Sequence, residues 1–204
     1  MCVLVTLANS LFEDNAEFGF GFVIANASMR RRIEDLMNEA LVQNDFSDEL
    51  KGLFKEWIEN KDDGDKTKEL QPKLMSLLKA NSTPLAAELA SLERYMVKKS
   101  IWVLGGDGWA YDIGFGGLDH VLAMGEDINV LVLDTEIYSN TGGQSSKSTP
   151  LAAVAKFAAS GKRTRKKDLG MMLTTYGYIY IAQFAIGANQ IQFLTALKEA
   201  EAYK

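Results

Sequence analysis

Two short stretches hold the residues whose types and spacing can do chemistry. The first is Gly106-Asp107-Gly108, directly after the apolar run Ile101-Trp102-Val103-Leu104 and ahead of Gly114, Gly116 and Gly117. An apolar strand ending in such a turn delivers backbone N–H groups and one carboxylate to the carboxyl edge of a parallel sheet, where α/β proteins bind ligands. The second stretch is Asp134-Thr135-Glu136-Ile137-Tyr138-Ser139-Asn140-Thr141-Gly142-Gly143, which follows a second apolar run at 130–133.

Three small-ligand readings compete for the first stretch. A dinucleotide loop needs G-x-G-x-x-G, but Tyr111 stands where close helix packing demands glycine. A triphosphate loop needs Gly-Lys-Ser/Thr at a helix start, yet no lysine occurs from 101 to 146, and serine precedes Lys147. The third reading is a diphosphate held through a divalent cation. Mg²⁺ takes oxygen ligands in octahedral geometry, usually one or two protein groups with phosphate oxygens and water, and Asp107 between glycines can offer one. Thr135 lies 28 positions beyond Asp107. That is enough chain for one helix crossover, which sets the two loops side by side at one sheet edge. Thr135 and the Ile137 carbonyl are then placed to complete the protein's oxygen ligands.

The elements that must position these loops are legible as two unlike halves. Residues 28–99 read as a helical insertion: Ile33, Leu36, Met37, Ala40 and Leu41 form one stripe, and Leu50, Leu53, Phe54, Trp57 and Ile58 another, both at helical spacing. The polar run 60–66 breaks the pattern, and Thr83-Pro84 predicts an N-cap with proline at the first helical position. Residues 100–204 read as a βαβ core, with strands at 101–104, 130–133 and 178–182 and helices at 116–124, 151–160 and 190–202. The alternation implies a parallel sheet covered by helices on both faces. Residues 2–8 make a further candidate strand.

Bulk composition excludes several function classes. The chain has 204 residues, 47% of them hydrophobic and 24% charged, and is long enough for one large globular domain. Its net charge of −5 argues against a nucleic-acid partner, since phosphate-backbone affinity needs a basic surface. The run Lys162-Arg163-Thr164-Arg165-Lys166-Lys167 is a local exception. It reads as a solvated loop, with an anionic small-molecule contact as the alternative. The single cysteine, Cys2, permits neither an internal disulfide nor a cysteine-rich metal site and fits a reducing cytoplasm. The opening lacks a basic segment and meets Glu13 and Asp14 too soon for a signal peptide. No run approaches the roughly 20 apolar residues of a membrane span.

The Gly106-Asp107-Gly108 motif with Asn140 33 positions past the aspartate resembles the thiamine diphosphate signature. The longer string GGDGWAYDIGFGGLDHVLAMGEDINVLVLDTEIYSNTGGQSSKSTP is similar to the pyruvate:ferredoxin oxidoreductase family in its homodimeric, multidomain form. NSLFEDNAEFGFG at 9–21 and GKRTRKKDLGMMLTTYGYIYIA at 161–182 extend the likeness to nearly the whole chain.

The resemblance implies a thiamine diphosphate-binding fold, with Asp107 and Thr135 holding Mg²⁺ through side-chain oxygens and Ile137 through its carbonyl. It implies that Gly106, Gly108 and Trp109, with Thr135, Glu136, Ile137, Tyr138, Ser139 and Asn140, surround the cofactor, and that Asn140 stands near the reacting carbon. In such enzymes pyruvate is oxidatively decarboxylated, [4Fe–4S] clusters carry electrons to ferredoxin or flavodoxin, and coenzyme A takes the acetyl group. The cofactor supplies the carbanion chemistry while the protein supplies placement and charge.

Departures from the family pattern carry equal weight. The family places cluster-binding cysteines upstream of the NSLFED segment, where this chain has MCVLVTLA. The clusters are therefore not ligated by this chain. The glutamate that activates the cofactor's aminopyrimidine belongs to another domain in the family, and nothing here matches it. The family continues into another strand after the helix that ends this sequence, so the chain reads as a single partial domain, incomplete at both ends and inactive alone. The alternative is an inert module that keeps the fold for assembly. Simpler roles are also open: Asp107 as a helix N-cap, Asn140 with Gly142-Gly143 as a turn former, His120 as a packing or capping residue, and Tyr111, Phe115 and Trp102 as core or interface aromatics.

Overall fold

The computed structural model describes residues 2–5, 15–139 and 141–203. They fall into two compact units, one built mainly from Phe22–Ser100 and the other mainly from Ile101–Lys204 with the start of the first long helix.

The helical unit follows from the two apolar stripes. Helices α1 (Ala16–Val42), α2 (Asp48–Glu59), α3 (Gly64–Ala80), α4 (Pro84–Ser91) and the short α5 (Glu93–Met96) supply it. Ile33, Leu36, Met37 and Ala40 of α1 share a core with Leu50, Phe54 and Trp57 of α2 and with Leu70, Leu74 and Leu78 of α3. Each fully buried side chain of this size contributes about 1.5–3 kcal/mol. The Trp57 indole N–H donates to the Met96 carbonyl at 2.9 Å, so its one polar atom is satisfied inside the core. Caps set the boundaries. Ser47 and Thr83 accept the N–H groups of Leu50 and Ala86, the second confirming the Thr83-Pro84 start. The polar break is shorter than 60–66, because Asp63 caps α3 by accepting from Asp65 and Lys66, and Gly64 opens the helix.

The parallel-paired strands lie mainly in the second unit, in a sheet of order β1 (Cys2–Val5), β2 (Ser100–Gly105), β3 (Asn129–Val132). Residues 6–8 of the expected first strand lie outside the described residues. Strands β2 and β3 are parallel, with Val103 beside Val130 and Gly105 beside Val132. Helices α6 (Asp107–Tyr111) and α7 (Phe115–Ala123) make the crossover between them. Val103, Trp109, Ala110, Leu118 and Val121 form the core beneath the sheet, joined by Ala16 and Leu169. A two-stranded antiparallel ribbon, β4 (Ile137–Tyr138) and β5 (Gln144–Ser145), follows, then α8 (Leu169–Leu173), a 3₁₀ turn (Thr174–Tyr176) and α9 (Gln190–Ala202).

Two expected elements are absent. Residues 151–160 form turns and isolated bridges in place of a helix. Ala152 and Phe157 have φ of 67° and 65°, which no α-helix accommodates, and Leu151, Val154 and Phe157 are exposed, so a helical face there would bury nothing. Residues 178–182 form no strand. Tyrosine hydroxyls hold the segment instead, Tyr178 donating to the Leu122 and Ala123 carbonyls and Tyr180 to Glu199. No described helix is long and apolar enough to cross a membrane.

Candidate functional site

In-register pairing of β2 with β3 creates the site. Their last partners, Gly105 and Val132, end side by side, and the Leu133 N–H donates to the Gly105 carbonyl at 2.8 Å. The chain then leaves each strand at the same sheet edge. Gly106 precedes α6 and Asp107 opens it, but the Asp107 carboxylate caps no helix. It accepts the Thr135 N–H at 3.1 Å on Oδ1, and the hydroxyls of Ser148 at 2.8 Å and Ser146 at 3.3 Å on Oδ2.

Asp107 is 3% exposed, and its described hydrogen-bond partners are neutral. Burial pushes its carboxyl above the usual carboxylate range, and the bonds from Ser148, Thr135 and Ser146 pull back only part of the way. A buried carboxylate without a cationic partner is costly, and a metal ion beside it would offset that cost.

Oxygen atoms suited to such an ion lie on the segment whose Thr135 N–H donates to Asp107. Thr135 Oγ1 donates to the Ile137 carbonyl at 3.0 Å and lies 2.7 Å from Ser139 Oγ. These groups point together because Glu136 adopts a left-handed conformation, φ 66°, that folds the chain back on itself. Asp134 Oδ1 accepts the Glu136 N–H at 3.2 Å, and the Glu136 carbonyl accepts the Thr149 hydroxyl. Among the described residues no three His, Cys, Asp or Glu side chains gather into a metal-binding group. A cation here would draw on one carboxylate, a hydroxyl and a carbonyl, a donor set that fits Mg²⁺.

Glycines let the loops close. A Cβ on Gly108 would stand 2.3 Å from the Tyr138 ring, and one on Gly105 would stand 2.3 Å from the Trp109 ring. The nearest atom to a Cβ on Gly106 is the Leu133 carbonyl oxygen at 4.0 Å, so that position stays open for a ligand to approach the backbone. Trp109 is fully buried, a core residue as much as a lining one, and its indole N–H has no partner among the described residues. Asn140 lies outside the described residues.

Three groups have contacts at the site that the reading of the sequence does not assign. Ser146, Ser148 and Thr149 form a buried hydroxyl cluster beneath Asp107, with Ser146 Oγ and Ser148 Oγ 2.7 Å apart. Their signal is the density of hydroxyls in Ser145-Ser146-Lys147-Ser148-Thr149 after a glycine pair. Tyr111 donates its phenol to Asp134 Oδ2 at 2.8 Å, and burial, then this bond, pushes its ionisation upward. The basic run is the third. Arg163, Thr164 and Arg165 are exposed as expected of a solvated loop, but Lys162, Lys166 and Lys167 turn inward. Lys162 donates to the Ser146 and Thr149 carbonyls, Lys166 pairs with Asp134 at 2.6 Å, and Lys167 donates to the Tyr111 carbonyl at 3.2 Å. A pocket of about 400 Å³ lies alongside, lined by Asp112, Ser146, Lys147, Lys162, Arg165 and Lys167 among others. His120, in the last turn of α7, is exposed and neither packs in the core nor caps.

Residues 80–204 match the family model "Thiamine pyrophosphate enzyme, C-terminal TPP binding domain". The chain is 57% identical over 198 residues to a pyruvate-flavodoxin oxidoreductase of Klebsiella pneumoniae and 50% identical over 203 residues to a pyruvate:ferredoxin oxidoreductase of Moorella thermoacetica. In both cases the match covers 96% of this chain and 17% of the relative. A mitochondrial pyruvate dehydrogenase [NADP(+)] of Euglena gracilis is 49% identical over 197 residues, 11% of its length. With that match running through the loops after β2 and β3, the chain belongs to the thiamine pyrophosphate enzymes and carries their C-terminal TPP-binding domain.

Proposed function

We propose that the chain binds thiamine diphosphate through Mg²⁺, with Asp107 and Thr135 contributing side-chain oxygens and Ile137 its carbonyl. The convergence of Asp107 Oδ1, Thr135 and the Ile137 carbonyl at the carboxyl ends of β2 and β3 carries this reading. Gly106 leaves the backbone N–H edge open to a diphosphate, and Gly108, Trp109 and the 135–139 segment wall the cofactor in, with Glu136, Tyr138, Ser139 and Asn140 beside it. Asn140 would act nearest the reacting carbon.

Bound there, the cofactor supplies a carbanion-stabilising centre for a 2-oxoacid such as pyruvate. The chain's own part is positional and electrostatic: Asp107 offsets part of the cation's charge, and Ser146 and Ser148 orient Asp107. The names and identities of the relatives support placing the chain in a pyruvate:ferredoxin or pyruvate:flavodoxin oxidoreductase; coenzyme A as acetyl acceptor and a homodimeric cytoplasmic assembly belong to the same proposal and rest on the sequence resemblance alone. One cysteine cannot furnish the thiolates of a [4Fe–4S] cluster, so those carriers belong to other parts of such an enzyme. The same single cysteine favours the second reading, an inert assembly module.

Calorimetric titration of the chain with thiamine diphosphate, with Mg²⁺ and with chelator, separates the two. Binding that requires Mg²⁺ is expected; no binding in either condition leaves the inert module.

A further inference from the structure

The inward lysines of the basic run are tied to the loops that form the site. Lys162 fastens the 146–149 turn, and the Lys167 backbone N–H donates to the Lys147 carbonyl at 2.8 Å while its ammonium reaches Tyr111 of α6 and lies 3.1 Å from the Phe115 ring centroid. These charges already have oxygen or ring partners within the chain, so the run acts as a strap. Lys166 sits at the point that matters most. Its ammonium lies 2.6 Å from Asp134 Oδ2 and 3.4 Å from Glu136 Oε1, the two carboxylates that flank Thr135.

That bridge spans residues i and i+2 across the left-handed turn at Glu136. A non-glycine residue at φ 66° is held there only by surrounding structure. Without a cation between them, Asp134 and Glu136 would repel, and either would offer a competing carboxylate to a metal ion on the wrong side of Thr135. Asp134 also accepts the Tyr111 phenol, so the same bridge ties the turn to α6, which Asp107 opens.

We infer that Lys166 is a positioning residue: by bridging Asp134 and Glu136 it fixes the 134–137 turn so that Thr135 Oγ1 and the Ile137 carbonyl face the cation beside Asp107. The assignment of those oxygens rests on the function proposed above. The fixing of the turn does not, and the two are separable by experiment.

The test compares the 204-residue chain with Lys166→Met, Lys166→Arg and, as a control on an exposed pair in the helical unit, Lys73→Met. Hydrogen exchange without ligand is read on peptides covering 133–139, 100–105 and 115–123. Mg²⁺ is then titrated in the presence of thiamine diphosphate. Losing one charge-assisted bridge should speed exchange in 133–139 about tenfold and weaken Mg²⁺ about tenfold, with 100–105 and 115–123 unchanged. Lys166→Arg should restore both, and Lys73→Met should alter neither. Unchanged exchange in 133–139, or acceleration spread equally over all three peptides, overturns the inference, the second outcome marking a merely structural role. If the parent chain fails to bind thiamine diphosphate, the proposed function falls while the exchange result still decides the role of Lys166. Should Lys166→Met not fold, Lys166→Gln removes the same 2.6 Å ion pair while leaving the Tyr111–Asp134 bond, and carries the same expectation and the same refutation.

Discussion

The backbone N–H of Thr135 donates to Oδ1 of Asp107 across 3.1 Å, joining the loop after β3 to the loop after β2. A bond between a backbone group and a buried carboxylate fixes the distance between two candidate metal ligands before any metal arrives. Such preorganisation lowers the reorganisation that binding would otherwise require.

Asp107→Ala should therefore abolish Mg²⁺-dependent binding of thiamine diphosphate while leaving the helical content of the chain intact. The variant removes the carboxylate and leaves the Thr135 N–H, Ser146 and Ser148 to one another and to water. Calorimetry gives the binding and circular dichroism the fold; equal binding by both forms would sink the site assignment.

Gly105→Ala should destabilise the second unit by about 1–3 kcal/mol, the usual cost of overpacking a filled core. The added methyl would stand 2.3 Å from the Trp109 ring, which is fully buried and has no flexible end to swing aside. Denaturant unfolding followed by tryptophan fluorescence measures the loss, and a midpoint equal to the parent's would show that the ring moves freely.

The parts of this site visible in the sequence are those that depend on strand-to-loop exits. Apolar runs at 101–104 and 130–133 fix β2 and β3, parallel pairing fixes their ends side by side, and Asp107 and Thr135 meet as a consequence. The strap and hydroxyl cluster stay hidden because their partners lie far apart in the chain and no periodicity marks them, as with Lys166 and Asp134. Residues 151–160 mislead in the opposite direction. Their alanine-rich apolar pattern has helical propensity, but Leu151, Val154 and Phe157 meet no surface that would bury them. Burial by tertiary partners, absent from local sequence, decides such segments.

Alkaline pH should loosen the contact between Tyr176 and α7. The Tyr176 phenol donates to Asp119 Oδ1 at 2.6 Å, and this bond, with some burial, pushes its pKa up to about 12. The folded state thus favours the neutral phenol, so the contribution is complete below the unfolded value of about 10 and is lost as pH rises from there toward the folded value. Tyr176→Phe should be less stable than the parent at about pH 8 to 9, and the gap should narrow above about pH 10. A gap that stays constant through about pH 11 would refute the assignment.

The chain purified alone should not oxidise pyruvate. Oxidative decarboxylation leaves two electrons that a one-electron carrier system must remove, and a sequence with the single cysteine Cys2 has no thiolate set for a [4Fe–4S] cluster. The carboxylates of the described site are also engaged within the chain: Asp107 accepts from Thr135, Ser146 and Ser148, Asp134 and Glu136 are bridged by Lys166, and Asp112 pairs with Lys147 at 3.1 Å. Binding and turnover are therefore expected to separate, with thiamine diphosphate and Mg²⁺ taken up but no electrons delivered. Pyruvate-dependent reduction of a viologen dye, with thiamine diphosphate, Mg²⁺ and coenzyme A present, should stay at background. Clear reduction without an added subunit would show that the electrons leave by a route these residues do not reveal.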